Sequence, residues 1–374
     1  MSTRKRVAHF LLVPELAHSP PNDALVRAWL DLGYDVDLFA PGGDFPVDRY
    51  GSRVRAFAAE YGYRWLLRNV WRLQWRQYAC FSGTTEDPMA AAGLLGLVHR
   101  RPVITLADEI KSGMTSGERS ARWKQLCRFA MRRAALTIVN EQQRIRLQRE
   151  YAGLPESSPV VVYPGCFVSP PEPGDRAKIR DDARLPRDAL VLCFSGLFSH
   201  GNGGLWLADV IARQKDVWVW AQIVNIDPLT KGLLERLEGH EQLRLQNERM
   251  TWQEAWASMA AVDIGLVIYL QEGPQFQHMG TASNRLCMFL AMGVPVIASR
   301  QPSFEFIEQY DCGVLVSSAA EIPTAVAQIA ANLKRMRGHA IACAYEYVDA
   351  PAKWRQLRAA LAVAVNQSTA LQVE

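Results

Sequence analysis

Gly280-Thr281-Ala282-Ser283-Asn284-Arg285-Leu286-Cys287-Met288-Phe289-Leu290-Ala291-Met292-Gly293-Val294-Pro295-Val296-Ile297-Ala298-Ser299 reads as a small-residue turn, a short helix and a buried strand. Ser283 is suited to the N-cap, where a hydroxyl accepts an otherwise unpaired amide of the first turn. Leu286, Phe289 and Leu290 recur at i, i+3 and i+4 and give the helix one apolar face. Gly293 suits the left-handed position that closes a helix, and Pro295 forbids its continuation. Residues 262–270, just upstream, read as another buried strand. The unit is strand, loop, helix, strand. Its open helix N-terminus collects unpaired amides and a partial positive charge, which favours a phosphate.

Working outward, the same alternation recurs on both sides. Upstream lie a strand at 190–195, a helix at 203–214, a strand at 217–224, a helix at 230–237, a short strand at 243–245 and a helix at 252–259. Downstream are a strand at 313–316 and a helix at 322–336. Nearer the start, residues 7–13 and 35–40 read as strands joined by a helix at 24–32 that Gly33 closes. Further strands fall at 102–107, 135–140 and 159–163. The Pro/Gly-rich stretch from Pro164 to Gly174 breaks the series and marks a domain boundary. The expected class is α/β, with one parallel-sheet domain over 1–165 and a second over 166–345. Residues 346–374 supply a terminal helix, expected to pack back on the first domain, and a polar tail. The loop after the first strand lacks the G-x-G-x-x-G fingerprint, which argues against a dinucleotide site there.

Composition narrows the function classes. The 374 residues are 49% hydrophobic and 21% charged, the profile of a folded globular chain of two domains. No apolar run is long enough to cross a bilayer, and the start lacks a signal-peptide h-region. Seven dispersed cysteines, none at C-x-x-C or Cys/His metal spacing, point to reduced thiols in a cytoplasmic protein and to no bound metal. The net charge of +4 is uneven: residues 1–165 hold 23 Lys/Arg against 16 Asp/Glu (+7), and the rest 19 against 22 (−3). Such polarity points to an anionic partner for the first half. No base-reading motif is present, which sets nucleic acid behind a membrane surface.

Two N-terminal features are candidates for function. Arg64, Arg68, Arg72 and Arg76 repeat at i+4 on one expected helical face, interleaved with Trp65, Trp71, Trp75 and Tyr78. They read either as a peripheral membrane patch on the inner face of the membrane, or as a solvated face over core tryptophans. A second basic stretch, Arg119 to Arg149, has nine Lys/Arg and one acid. Asp108 and Glu109 follow the strand at 102–107, where acids at a carboxyl end point into the ligand crevice; the alternative is that either caps the next helix.

Residues 283–298 and Tyr310-Asp311-Cys312-Gly313-Val314-Leu315-Val316 resemble two motifs of the retaining family 4 glycosyltransferases, "S-N-K-L-F-E-Y-M-A-x-G-x-P-V-I-A" and "y-g-C-G-v-l-v". Weaker echoes are Tyr163-Pro164-Gly165 and Phe194-Ser195-Gly196-Leu197. The resemblance implies a GT-B fold, two Rossmann-like domains facing across a cleft. It implies transfer of a sugar from a nucleotide-sugar donor to a glycan or lipid-linked acceptor in cell-envelope polysaccharide synthesis, with retention and without metal or other cofactor. Thr281, Ser283, Asn284, Arg285 and Gly196 would hold the donor phosphate. Arg249, Met250, His278, Gly280, Met288 and His200 would border the nucleotide or sugar. Asp108 and Glu109 would face the acceptor.

The chain departs from the pattern at several positions. Met288 and Gly280 stand where the family carries glutamates, Leu197 stands where it carries an arginine, no lysine follows, and the cleft histidine is replaced around Ala107. These departures leave open a donor of lower phosphate charge, such as a nucleoside monophosphate sugar. They also leave open a silent module that binds a glycan or a partner enzyme.

Overall fold

The computed structural model describes residues 5–12, 19–42, 47–108, 121–214, 216–248, 250–271 and 273–370. The chain divides into two compact units, one of residues 1–168 with 351–374 and one of residues 169–350.

The first unit is built on seven parallel strands: β1 (Arg6–Phe10), β2 (Asp35–Ala40), β3 (Val54–Ala58), β4 (Tyr78–Thr84), β5 (Val103–Ala107), β6 (Leu136–Val139) and β7 (Val160–Val162). Their order is β3-β2-β1-β4-β5-β6-β7. Alternation along β1 explains the layering, because successive side chains leave opposite faces of a strand. Val7 joins a core with Trp29, Leu38 and Ile104, whereas Ala8 and Phe10 join one with Phe39, Trp75 and Phe81. The terminal helix Ala350–Ala370 belongs to the first of these cores through Leu357, Leu361, Ala364 and Val365. Buried Asp37 ties β1, β2, β3 and β4 together through Arg6, through Arg55 at 2.7 and 2.8 Å, and through the Tyr78 hydroxyl at 2.7 Å. These donors hold its carboxyl below the usual range against the opposing effect of burial.

The second unit has six parallel strands: β8 (Leu190–Phe198), β9 (Val217–Ile226), β10 (Leu243–Gln246), β11 (Ile264–Val267), β12 (Val296–Ser299) and β13 (Gly313–Val316). The order β10-β9-β8-β11-β12-β13 is a doubly wound sheet. At the entry to β11, buried Asp263 accepts from Arg176 and Arg180, each at 2.7 Å, and from Arg337 at 3.1 Å. It also takes the Val191 amide at 3.0 Å, which locks β11 to β8 at the end away from the site described below.

Three expectations are corrected. β3 and β4 do not stand out in the sequence, and the intervening basic segment is not one helix. The helix Tyr63–Asn69 ends before Arg72, whose backbone is extended, and Arg76 lies in the short 3-10 element Leu73–Gln77. Arg64, Arg68, Arg72 and Arg76 therefore share an exposed segment but not a helical face. The strand expected to stop at residue 195 runs on to Phe198 across a bulge at Gly196/Leu197. Gly196, at φ +115°, is thus a strand residue.

Candidate functional site

In the second sheet the connection after β8 runs to β9 on one side while β11 lies on the other. The space above the carboxyl ends of β8 and β11 is therefore the topological switch point, where open parallel sheets take their ligands. Arg285 lies across it. Its Nη1 donates to the Ser195 carbonyl in β8 at 3.4 Å. Nη2 donates to the Ile268 carbonyl just past β11 at 3.0 Å and to Asn202 Oδ1 at 3.3 Å. Nε donates to the Tyr269 hydroxyl at 3.2 Å, and the guanidinium stands 4.5 Å from the Tyr269 ring centroid.

Arg285 is 8% exposed, and no carboxylate pairs with it among the described residues. A buried cation is ordinarily matched by an opposite charge, because desolvation costs several kcal/mol and neutral partners recover only part of it. The site is therefore left positive at its centre.

The helix that carries Arg285 runs Asn284–Ala291, with Ser283 as its N-cap. The Ser283 hydroxyl accepts from the Leu286 amide at 3.2 Å and lies 2.8 Å from the Tyr269 hydroxyl. Those bonds commit it to positioning both the helix and Tyr269. Asn284 is exposed at the open end, where the first amides of a helix lack intrahelical partners. Thr281 is buried in the 3-10 turn Gly280–Ala282. That turn is anchored by the Gly280 amide on Ser303 Oγ at 3.0 Å and the Met279 amide on Gln301 Oε1 at 3.1 Å. Met288 is buried on the helix, and His278 is half-buried in the turn before Gly280.

The loop after β8 packs against the exit of β11. Gly201 accepts from the Leu270 amide at 2.7 Å, and a Cβ at Gly203 would stand 2.6 Å from Ile268. The glycines are there for this close approach. Beside Gly196, by contrast, an added Cβ would meet open space. The buried Ser199 hydroxyl accepts from the Asn202 amide at 3.2 Å and its side-chain NH₂ at 2.9 Å, which aims Asn202 Oδ1 at Arg285. His200 is exposed on this loop, and Met250 is half-buried ahead of the helix Trp252–Ser258.

The switch point brings together Arg285, Ser283, the carbonyl next to Gly196 and Asn202 of the loop that follows, and adds Tyr269, which sequence reasoning missed. Arg249 and Glu109 lie outside the described residues. In the first unit, Asp108 follows β5 and accepts from Asn140 Nδ2, while its carbonyl takes Arg144 Nη1 at 3.0 Å.

A second buried polar cluster, also absent from the sequence reading, sits at the β1/β4 switch point. His9 Nε2 donates to Asn22 Oδ1 at 3.0 Å, and its Nδ1 lies 2.8 Å from Ser82 Oγ. Thr84 Oγ1 donates to the same Asn22 oxygen at 2.5 Å. Burial lowers the His9 pKa to about 4, so the ring is neutral at pH 7. Among the described residues no three His, Cys, Asp or Glu groups form a metal-holding cluster, and the seven cysteines are buried and form no disulfide.

Two doubly wound parallel sheets in series, with the terminal helix closing the first unit, define the GT-B fold. No family model and no curated protein matches the sequence. Solved structures do match over nearly the whole chain. Anabaena HepE, solved with UDP-glucose, is 16% identical with a TM-score of 0.73, over 96% of this chain and 99% of that one. A glycosyltransferase from Rickettsia africae is 12% identical with a TM-score of 0.71, over 97% and 98% of the two chains. The sucrose-phosphate synthase of Thermosynechococcus elongatus is 15% identical with a TM-score of 0.68, over 99% and 98%.

Proposed function

We propose that this chain is a glycosyltransferase that moves a sugar from a nucleoside diphosphate sugar to a glycan or lipid-linked acceptor, as in cell-envelope polysaccharide synthesis, with retention and without a bound metal. One observation carries the reading: a buried guanidinium with no counter-charge among the described residues spans the β8/β11 switch point beside the open end of a helix. Both features recruit a diphosphate, and both stabilise the negative charge that grows on it as the glycosidic bond breaks. The likeness to a fold solved with UDP-glucose supports a uridine diphosphate sugar as the donor. The acceptor hydroxyl attacks from the face that the phosphate leaves, and a phosphate oxygen takes its proton. Asp108 and Glu109 are assigned to the acceptor, and Arg249, Met250, His278, Gly280, Met288 and His200 to the nucleotide and sugar. The absence of a base-reading motif leaves nucleic acid outside this reading.

Thermal shift with UDP, GDP and CMP, followed by assay of UDP release from UDP-sugars, tests it. Stabilisation by a nucleoside diphosphate and turnover with one sugar are expected. Stabilisation by CMP alone would move the donor to a monophosphate sugar. A second reading, a silent glycan- or protein-binding module, is favoured by the buried Met288, which offers ribose no carboxylate. No nucleotide response and no turnover, together with glycan binding, would establish it instead.

A further inference from the structure

Between Glu60 and Glu86 the sequence holds no acid, yet it carries Arg64, Arg68, Arg72 and Arg76. All four are exposed, and none has a carboxylate partner among the described residues. Tyr63, Leu67, Trp71 and Leu73 stand among them at 48%, 75%, 73% and 68% exposure. Isolated exposed leucines are ordinary on a protein surface, but a run of large apolar side chains set between unpaired guanidiniums is not.

The segment is anchored from beneath. Leu66, Val70 and Trp75 are buried in the core with Phe10, Phe39 and Phe81. The Trp75 indole donates to the Asn69 carbonyl at 2.6 Å, His99 Nε2 to the Val70 carbonyl at 2.8 Å, and Arg101 to the Arg76 carbonyl at 3.3 Å. Trp65 and Trp75 thus hold the fold, and Leu67, Trp71 and Leu73 are turned outward on a fixed base.

We infer that this face docks on an anionic lipid bilayer, with Leu67, Trp71 and Leu73 entering the interface while Arg64, Arg68, Arg72 and Arg76 meet the head groups. Charge complementarity and the mixture of side chains argue for a bilayer. Arginine is drawn to anionic head groups, and tryptophan and leucine are stabilised at the boundary with the acyl chains. A nucleic acid would neutralise the arginines and stack on Trp71, but it would leave the two leucines in water. The inference does not rest on the transferase reading, because vesicle binding and nucleotide binding are read separately.

Co-sedimentation of the full chain with vesicles of phosphatidylcholine containing about one-third phosphatidylglycerol, against pure phosphatidylcholine, tests it. Wild type should bind the anionic vesicles, less so as salt rises. Changing all four arginines to glutamine should weaken partitioning by about 1,000-fold, since each cation near an anionic surface strengthens it roughly fivefold. Leu67→Ser with Trp71→Ser should weaken it by about tenfold. Lys231→Gln, Arg236→Gln, Lys334→Gln and Arg355→Gln remove equal charge from exposed positions elsewhere and should leave binding intact. Circular dichroism and urea unfolding verify that the variants are folded. The inference is overturned by a wild type that ignores anionic vesicles, by equal loss in the control variant, or by a dimer that Trp71→Ser dissolves while vesicle binding persists.

Discussion

Arg285 places four hydrogen bonds on neutral acceptors and two aromatic rings against its plane, and it still lacks a negative partner among the described residues. Replacing it with methionine removes a buried cation and leaves the Ser195 and Ile268 carbonyls short of a donor. These effects oppose, so the ligand-free stability of Arg285→Met should change by less than about 1 kcal/mol. UDP affinity should fall by about 10- to 100-fold, the value of charged hydrogen bonds to phosphate. Calorimetric titration reads this directly, and unchanged affinity would remove Arg285 from the site. His9 makes a separate prediction at the same scale. Its folded pKa of about 4 lies below the 6.5 of an unfolded histidine, so the unfolded chain takes up the proton first. The neutral ring's contribution is complete above pH 6.5 and is lost as pH falls toward 4. Between pH 7 and 5 about 2 kcal/mol of stability should disappear on this account. Urea unfolding at the two pH values should show a smaller drop in His9→Gln, and an equal drop would refute the assignment.

The element that sets the site is the helix Asn284–Ala291, and β11 holds it through a missing side chain. A Cβ at Gly265 would stand 2.4 Å from the Phe289 ring. Gly265→Ala should therefore push the helix off the sheet, cost about 1–3 kcal/mol and weaken nucleotide binding with it. Gly232→Ala, in a helix with nothing near its Cβ, should be neutral or slightly stabilising in the same urea titration. A Gly265→Ala protein as stable as wild type would mean that this contact does not seat the helix. This helix was legible because its cap, its i, i+3, i+4 stripe and its terminating glycine are all local. The residues around it were not. Arg285 finds Ser195 and Asn202 across 90 and 83 positions of chain, and His9 finds Ser82 across 73, through strand pairings that no local pattern encodes. β3 was hidden because only Val54 of its five residues is buried, so it lacks an apolar run. The i+4 arginines imitated one helix because the same spacing persists where the backbone turns extended at Arg72.

At the scale of the molecule, one compact unit is assembled from two stretches that lie far apart in sequence. Residues 351–374 belong with residues 1–168, although the whole of the second unit lies between them in sequence. The terminal helix presents Leu357, Leu361, Ala364 and Val365 at i, i+4, i+7 and i+8, and this stripe is buried in the core that holds Val7, Trp29 and Leu38. Polar contacts fix its register: the Trp354 indole donates to the Ala24 carbonyl at 3.1 Å, and Arg358 pairs with Asp31. The helix should therefore behave as core and not as an appended tail. Leu361, fully buried, should cost about 2–5 kcal/mol when changed to alanine, the loss of its apolar burial together with the cavity left behind. Val363 is two positions on and 53% exposed, and its change to alanine should stay within about 0.5 kcal/mol. Urea unfolding of the full chain distinguishes the two faces of one helix with the same class of substitution. Equal effects at both positions, or none at Leu361, would mean that the helix does not complete the core of the first unit.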